Sequence, residues 1–413
     1  MEIGSCRLIP KRRRLAPASR SAGVRRYVGV DRLSDLPDGI LGDIVSLLPI
    51  DDGVRTQILA SRWRHIWRSS APLNIDCGAL VARSRGHGDA DELRGLVSRI
   101  LSSHRGTVRR FRVPAHFVDQ AATIDAWLQS AALDNLQELD LWYSHDYLHL
   151  PLPRCGVSRF STTLRVATIK QCNLPDSTVQ GLQFPLLKQL ELRHVLVSEC
   201  SLNRMIASCP ALVCLTIKRC FGFRCVRINS SLESICVVVG RPRPSELHFG
   251  ELKFGELIID IAPCLKRLLH LDSLLFRISV ISAPKLETLV CRSSGNFDST
   301  VLIQGLHIDS LTTVVRTVQV LAIDMHPLNL DILINLMRCF PCLERLYIKV
   351  SYKHYNEEFL AHQERKLQLD NRASRAAQFH FTTDECVRRI GHNDHVHDLD
   401  VTEPFIFVDG RVS

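Results

Sequence analysis

Apolar residues recur in one short pattern along most of the chain. The pattern is Leu-x-x-Leu-x-Leu, often preceded by a proline, and Pro185-Leu-Leu-Lys-Gln-Leu-Glu-Leu192 is a complete copy. Each copy is predicted to supply one short β-strand, followed by a return segment. Eight copies begin at a leucine and one degenerate copy begins at a valine. These first residues are Leu136, Leu164, Leu187, Leu212, Leu232, Leu265, Leu286, Val318 and Leu343.

The spacing of the copies predicts a solenoid. Outside the interval that holds Val318, consecutive leucine copies lie 20 to 33 residues apart, which is the period of leucine-rich repeats. Cys172 and Cys220 stand where such a repeat needs a small side chain facing the stacked interior. Stacking buries leucines that a lone repeat would expose. Residues 131–350 are therefore predicted to form an irregular α/β horseshoe whose parallel sheet lines a concave face.

The N-terminal segment has a helical rhythm instead. From Leu36 to Leu48 the apolar residues fall at steps of three and four, which predicts a helix with one apolar face. Pro37 suits the first turn of this helix, because the amide proton it lacks would have no intrahelical acceptor there. Pro49 ends the helix.

Two shorter helices are predicted next. Asp51 or Asp52 could cap the first, which runs through Leu59, and Ser61 could cap the second. Three helices of this size bury little apolar surface among themselves, so they need another surface to pack against. That surface is either a partner protein or the rest of this chain.

The residue types between 31 and 70 resemble the F-box, in particular that of plant F-box proteins with leucine-rich repeats. The resemblance rests on Leu36-Pro37-Asp38, Ile40-Leu41, Leu47-Leu48-Pro49, Val54-Arg55-Thr56 and Ser61-Arg62-Trp63-Arg64. It implies an α+β chain in which a three-helix F-box precedes the solenoid. In that family the F-box docks on the Skp-family adaptor of a cullin–RING ubiquitin ligase. The implied adaptor contacts are Leu36, Pro37, Ile40, Leu41, Ile44, Leu47, Leu48 and Pro49, with Trp63 and Trp67 bracing the module.

Two glycines depart from the family's usual residue types. Gly39 and Gly42 lie inside the first predicted helix, and each costs about 1 kcal/mol relative to alanine in a helix interior. We therefore expect adaptor binding that is weaker than for a better helix former. Replacing both glycines by alanine should tighten it.

By resemblance, the chain is the substrate-recognition subunit of an SCF-type ubiquitin ligase. The F-box would hold the adaptor, the repeats would bind an unknown target protein, and the mechanism would be proximity, with no catalytic residue in the chain. The alternative is a non-degradative interaction scaffold whose F-box is too weak to join a ligase. An enzyme is not indicated, because the sequence lacks a glycine-rich phosphate loop, His-Glu-x-x-His and Gly-x-Ser-x-Gly.

Neither a metal nor a cofactor is expected. His392, His395 and His397 have residue types that suit zinc, but histidines in a polar segment are usually solvated. Cys339 and Cys342 have redox or zinc spacing without a second cysteine pair at ligand distance, and they coincide with the start of a repeat. We interpret them as structural.

Charge and composition indicate a basic N-terminal leader and the compartment in which the chain is expected. Of the formal net charge of +9, residues 1–32 carry nine Lys or Arg against Glu2 and Asp31, so the remainder is nearly neutral and nucleic-acid binding is not indicated. The leader at 1–30 is either a nuclear-import signal or a disordered, solvated segment. With no apolar run of membrane-spanning length and no secretory signal, we expect the nucleus or cytoplasm. There the 15 cysteines would remain thiols, mostly buried.

Two further segments and one group of cations complete the predictions. Residues 71–130 are expected to be a linker and solenoid cap, with helical stretches near 93–101 and 118–133. Residues 351–413 are similar to the ends of plant F-box proteins that carry an FBD region, although the preceding core of that region is not recognisable. Near the ends of predicted strands, the cations expected to form a solvated face are Lys170, Arg193, Lys218 and Arg219.

Overall fold

The computed structural model describes residues 33, 35–48, 50–70, 73–77, 90–113, 121–142, 157–239, 254–271, 277–292, 301–303, 314–324, 330–350 and 378–383. The chain divides into two compact units, Met1–Pro37 and Asp38–Ser413. In the first, the amide of Leu36 donates a 3.2 Å hydrogen bond to the carbonyl of Leu33. The predicted leader lies outside the described residues.

Short helices open the second unit, and longer ones occur between the strands. The α-helices of the described chain are α1 (Asp38–Leu47), α2 (Ile50–Arg55), α3 (Ser61–His65), α4 (Ala90–Ser103), α5 (Ala121–Leu128), α6 (Asp176–Val179), α7 (Glu199–Ala207) and α8 (Leu330–Cys339). Single 3-10 turns cover Thr56–Ile58 and Ala131–Leu133, and a π-helical turn covers Ile66–Ser70. Both α4 and α5 lie where the sequence predicted helical stretches.

The helix caps differ from the prediction. Asp51 and Asp52 lie inside α2 instead of preceding it. Ser61 is the first residue of α3, whose cap is Ala60, an extended residue that makes no side-chain capping hydrogen bond. Asp52 instead pairs with Arg55 at 3.0 Å, at the i,i+3 spacing that brings side chains together on a helix.

The strands of the described chain belong to three parallel sheets. In chain order they are β1 (Leu73–Asp76), β2 (Val108–Val113), β3 (Glu138–Trp142), β4 (Val166–Lys170), β5 (Asn173–Leu174), β6 (Gln189–Arg193), β7 (Leu196–Val197), β8 (Cys214–Lys218), β9 (Cys225–Asn229), β10 (Ser234–Val238), β11 (Glu256–Ile261), β12 (Arg267–Leu271), β13 (Arg277–Val280), β14 (Thr288–Arg292), β15 (Val301–Ile303), β16 (Val320–Asp324), β17 (Arg345–Val350) and β18 (Gln378–Thr383). The main sheet has twelve strands in the order β1-β2-β3-β4-β6-β8-β10-β12-β14-β16-β17-β18.

Every predicted repeat copy leads into a strand of the main sheet. In each case the strand starts two residues after the first apolar residue of the copy, as Leu136 precedes β3 and Val318 precedes β16. The second apolar residue then faces the core, where Leu139, Leu190 and Leu346 are at most 3% exposed. The prediction of a parallel-sheet solenoid of leucine-rich repeats is confirmed.

The sheets extend beyond the predicted repeats. β1 and β2 fall within residues 71–130, which were predicted as linker and cap, and β18 falls within the predicted tail at 351–413. β2 reads Val108-Arg-Arg-Phe-Arg-Val113 and contains no leucine, so a search for leucine spacing misses it. A second sheet of four strands, β9, β11, β13 and β15, was not predicted either.

One continuous core joins the two larger sheets and the N-terminal helices. It contains Leu215 from β8, Ile228 from β9 and Ile259 from β11, all with no measurable exposure, together with Ile50 from α2. Backbone hydrogen bonds also link each repeat to the next ahead of its strand. Val213 donates to Lys188 at 2.8 Å, and equivalent bonds recur along the sheet edge. Backbone pairing and side-chain burial together make each repeat depend on its neighbours.

The N-terminal helices pack on the first strand of the main sheet. Ile50 contributes to the common core, and the rings of Trp67 and His104 meet edge-on with centroids 5.9 Å apart. The Asn74 side chain of β1 donates to the carbonyl of Ser46 in α1. The surface that these short helices require is thus partly supplied by this chain.

Most described cysteines are buried thiols, as expected. Seven of the twelve are buried, and all twelve are free. Cys172 lies in the stacked interior, where burial raises its pKa. Cys200 and Cys342 are exposed exceptions, while Cys339 is buried. No described helix has the length and apolar character needed to cross a membrane.

His270 makes stability depend on pH. It lies in β12, in register with the core residues Val237 and Cys291, and burial lowers its pKa from 6.5 to about 4. Between these two pH values the unfolded chain binds a proton that the native chain excludes. The free energy of unfolding therefore decreases as the pH is lowered from 6.5 towards 4. The resulting loss of stability amounts to roughly 2 kcal/mol at pH 5 relative to neutral pH.

The His270→Leu variant should therefore lose less stability between pH 7 and pH 5 than the natural chain does, in urea unfolding followed by circular dichroism. An identical pH dependence in the two proteins would show that His270 does not titrate in this way. His65→Leu is the control, because His65 of α3 lies exposed at the surface.

Candidate interaction surfaces

The residues predicted to contact an adaptor divide between surface and interior. Ile40 and Leu47 of α1 are 49% and 75% exposed, and Pro37 is exposed as well. In contrast, Leu41 is completely buried and Trp63 is 5% exposed, so both side chains support the fold in this structure. The half-buried members are Leu36, Ile44, Leu48 and Trp67, and Pro49 lies outside the described residues.

Three exposed apolar residues were missed by the sequence interpretation. Val54 is 41%, Ile58 82% and Leu59 66% exposed. Together with Ile40 and Leu47 they form a set that we call the helical apolar face. Of the eleven large apolar residues found exposed, five belong to this face and fall within twenty residues of sequence. Apolar side chains concentrated in this way mark an interaction site more often than scattered ones do. The signal in the sequence was Ile58-Leu59, which follows the Val54-Arg55-Thr56 motif.

The face of the main sheet opposite the core side chains carries a ladder of opposite charges. Arg112 of β2 lies between Asp76 and Asp140, at 3.5 and 3.2 Å. Asp140 also accepts a hydrogen bond from Lys170 at 3.1 Å, and the Lys170 ammonium stands 5.6 Å from the centre of the Trp142 ring. These side chains come from neighbouring strands, so parallel pairing brings together residues that are about 30 positions apart in sequence.

Glu191 is the centre of a second group of charges. Arg193 contacts one of its carboxylate oxygens through two guanidinium nitrogens, at 2.8 and 3.2 Å, and Lys218 approaches the same oxygen at 3.2 Å. Burial would raise the pKa of Glu191, but Lys218, Arg193 and Lys170 outweigh it and lower its pKa to about 2. Glu191 therefore stays ionised near neutral pH and holds the two cations in place.

The cations expected on a solvated face are mostly paired instead. Lys170 is only 7% exposed, and Arg193 and Lys218 are held by Glu191. Arg219 is exposed, as predicted; its positive φ of 51° turns the chain out of β8. The sequence showed the cations, but Lys170 and Lys218 pair with carboxylates of the preceding repeats, Asp140 and Glu191.

A small cleft opens between these charges. It is lined by residues of β2, β3, β4, β6 and β8, including Arg110, Arg193 and Thr216, and has a volume of about 70 Å³. Sites for drug-sized molecules usually measure about 300–1,000 Å³. The cleft therefore has room for the tip of a side chain rather than for a separate small-molecule ligand.

The same face becomes apolar toward the C-terminal repeats. In register with Glu191 and Thr216, the following strands present Cys236, Leu269 and Val290. A second apolar cluster forms there, and each of its five buried members is at most 6% exposed. Its buried members are Leu269, Val290, Val320, Ala322 and Tyr347.

No metal-binding arrangement is found in the part of the chain that the structure describes. No group of three or more His, Cys, Asp or Glu side chains there could hold an ion. The histidines at 392, 395 and 397 lie outside the described residues. The Cys339 and Cys342 pair is divided between interior and surface.

Comparison with known proteins places this architecture in a family. Residues 124–348, more than half of the chain, match the family model described as "FBD-associated F-box protein At5g56370, LRR repeats". The repeats define the chain as a leucine-rich-repeat solenoid protein. More particularly, it belongs to the family of plant F-box proteins with leucine-rich repeats, which includes members associated with an FBD region.

Three relatives from Arabidopsis thaliana show the extent of the similarity. "F-box/FBD/LRR-repeat protein At5g22660" is 29% identical over 59% of this chain and 48% of its own length. "F-box/FBD/LRR-repeat protein At5g22700" is 30% identical over 51% and 47%. "Putative F-box/LRR-repeat protein At5g02930" is 25% identical over 52% and 43%. The chain thus spans less than half the length of these curated relatives.

Proposed function

We propose that this chain is the substrate-recognition subunit of an SCF-type ubiquitin ligase. In this proposal, residues 31–70 act as the F-box and bind the Skp-family adaptor, while the repeats bind a target protein. The chain contributes no catalytic side chain and works by placing the target beside the ubiquitin-charged enzyme. Its location would be the nucleus or the cytoplasm.

The observation that carries the proposal is the helical apolar face. Ile40, Leu47, Val54, Ile58 and Leu59 leave apolar area exposed on a group of short helices that packs on the common core through Ile50. Covering such area contributes about 25 cal/mol per Å² removed from water, which favours a permanent protein partner. The F-box names of the relatives support a Skp-family adaptor as that partner.

The packing of the helices on β1 suggests how the two activities would be coupled. Arg105 donates to the carbonyl of Arg68 at 3.0 Å, so a backbone bond ties the turn that follows α3 to the segment leading into β2. An adaptor held by these helices would keep a fixed position relative to the repeats. Fixed geometry raises the effective concentration of a bound target at the enzyme.

The alternative is a non-degradative scaffold with a weakened F-box, and the glycines of α1 favour it. The two functions are separated by purifying the recombinant chain with a Skp-family adaptor and a cullin, with and without residues 31–70. Retention of adaptor and cullin by the full chain alone supports the ligase. A full chain that binds a target protein but retains no adaptor would support the scaffold function instead.

Gly39→Ala should tighten adaptor binding. A Cβ at position 39 meets no atom within 4 Å, and alanine favours the helix by up to about 1 kcal/mol. We expect the Kd in calorimetric titration to fall by up to about fivefold. Gly95→Ala is the matched control, because position 95 in α4 is equally open. An unchanged Kd for Gly39→Ala, or an equal change in the control, would contradict the role of α1.

A further inference from the structure

Arg193 and Lys218 form a pair of cations around one buried acid. Glu191 retains 10% side-chain exposure, whereas Arg193 retains 36% and Lys218 19%. The accessible charge of this trio is therefore positive, although the sequence beyond residue 32 is nearly neutral overall. A buried carboxylate that anchors two more exposed cations is a preorganised arrangement, since the cations lose little freedom on binding.

The cations also lie in register. Lys170, Arg193 and Lys218 are direct neighbours on β4, β6 and β8, and adjacent strands are about 4.8 Å apart. We call these three residues the basic row. Trp142 of β3 extends the row by one strand, so an aromatic ring closes one end of it.

Donor capacity remains in this row. Arg193 uses its Nε and one Nη nitrogen on Glu191, and the described residues provide no acceptor for its other Nη. A guanidinium group has five N–H donors in a planar fork that matches carboxylate and phosphate oxygens. The adjoining 70 Å³ cleft has room for the end of a side chain that carries such a group.

We propose that the basic row binds an acidic segment of the target protein, with one of its anionic side chains seated against Arg193 and Lys218. Recognition of acidic motifs by arginine clusters is a recurrent mode of peptide binding. The anionic group is a carboxylate or a phosphorylated side chain, which share the same oxygen chemistry. This inference rests on the proposed function, because it specifies the target class of the same repeats.

The experiment measures binding of labelled synthetic peptides to the full chain by fluorescence anisotropy. One peptide alternates glutamate with serine, the second alternates glutamine with phosphoserine, and the third alternates glutamine with serine. We expect one or both anionic peptides to bind with an affinity that falls as salt rises, and the neutral peptide not to bind. The peptide that binds more tightly identifies the anionic group as carboxylate or phosphate.

Substitutions then locate the site. Arg193→Gln should lower the affinity for the anionic peptide about tenfold or more, because a charge-assisted contact is lost. Arg193→Lys should retain part of the affinity. The matched control is Arg227→Gln on the second sheet, where Arg227 is 63% exposed and paired with Asp260 at 3.5 Å. The control should bind like the natural chain.

Several outcomes would overturn the inference. They are equal binding of neutral and anionic peptides, binding of neither, equal loss in Arg227→Gln, or tighter binding of a single-stranded RNA of similar length. Adaptor binding is measured on the same samples and should not change in Arg193→Gln. If the natural chain binds the anionic peptide but does not bind the adaptor, the ligase role is rejected and the acidic-segment site is still supported.

Discussion

The double variant Leu47→Asp/Ile58→Asp is expected to lose adaptor binding while keeping its fold. The two side chains are 75% and 82% exposed, and burying each in an interface contributes about 1.5–3 kcal/mol. Losing both contributions corresponds to a rise in Kd of at least about a hundredfold in calorimetric titration. Placing two unpaired carboxylates in an apolar interface adds a desolvation cost to this loss.

The same variant should unfold at nearly the natural temperature, because surface substitutions usually change stability by less than about 0.5 kcal/mol. Its matched control is Ile261→Asp/Ile281→Asp, at two apolar residues of the repeats that are 54% and 61% exposed. The control should bind the adaptor normally. If control and test variants lose affinity alike, or the test variant keeps its affinity, the helical apolar face is not the adaptor surface.

Phe223→Ala is expected to destabilise the repeats strongly. Phe223 has no measurable exposure, and its ring packs on that of Phe254 with centroids 4.7 Å apart. Both rings precede strands of the second sheet, β9 and β11, so their contact anchors that sheet to the core. Removing a buried phenylalanine ring costs about 3–5 kcal/mol through lost transfer energy and the remaining cavity.

Urea unfolding followed by circular dichroism measures this loss. Val213→Ala is the control, since Val213 is 38% exposed and should cost far less. Adaptor affinity should persist in Phe223→Ala under native conditions, because interactions in a solenoid extend mainly to neighbouring repeats. A decrease of less than about 1 kcal/mol in the free energy of unfolding would show that the contact between the two rings does not stabilise the repeats as expected.

The sequence predicted the positions of the repeats well because burial acts on single residues at fixed spacing. Leu187 and Leu190 must both face the interior, and that requirement appears directly as Leu-x-x-Leu. Even the degenerate copy at Val318 leads into β16. Strands without leucine escaped the same search. Phe111 and Val113 of β2 are fully buried, but their run of arginines hides the pattern.

Features that depend on pairing between distant residues could not be predicted. The sequence shows Lys170 and Asp140 thirty positions apart, and only the register of β3 and β4 reveals that they meet. The same limit applies to the N-terminal helices. Their spacing does not reveal that Leu41 packs inward while Ile58 stays exposed, because that choice depends on how the helices dock on β1.

Hydrogen–deuterium exchange of the full chain, with and without a Skp-family adaptor, tests most directly whether the N-terminal helices bind the adaptor while the repeats remain available for the target. We predict that the adaptor slows exchange in residues 38–59 and leaves exchange in the strands of the basic row, β4, β6 and β8, unchanged. Protection confined to the repeats, or no protection at all at saturating adaptor, would contradict it.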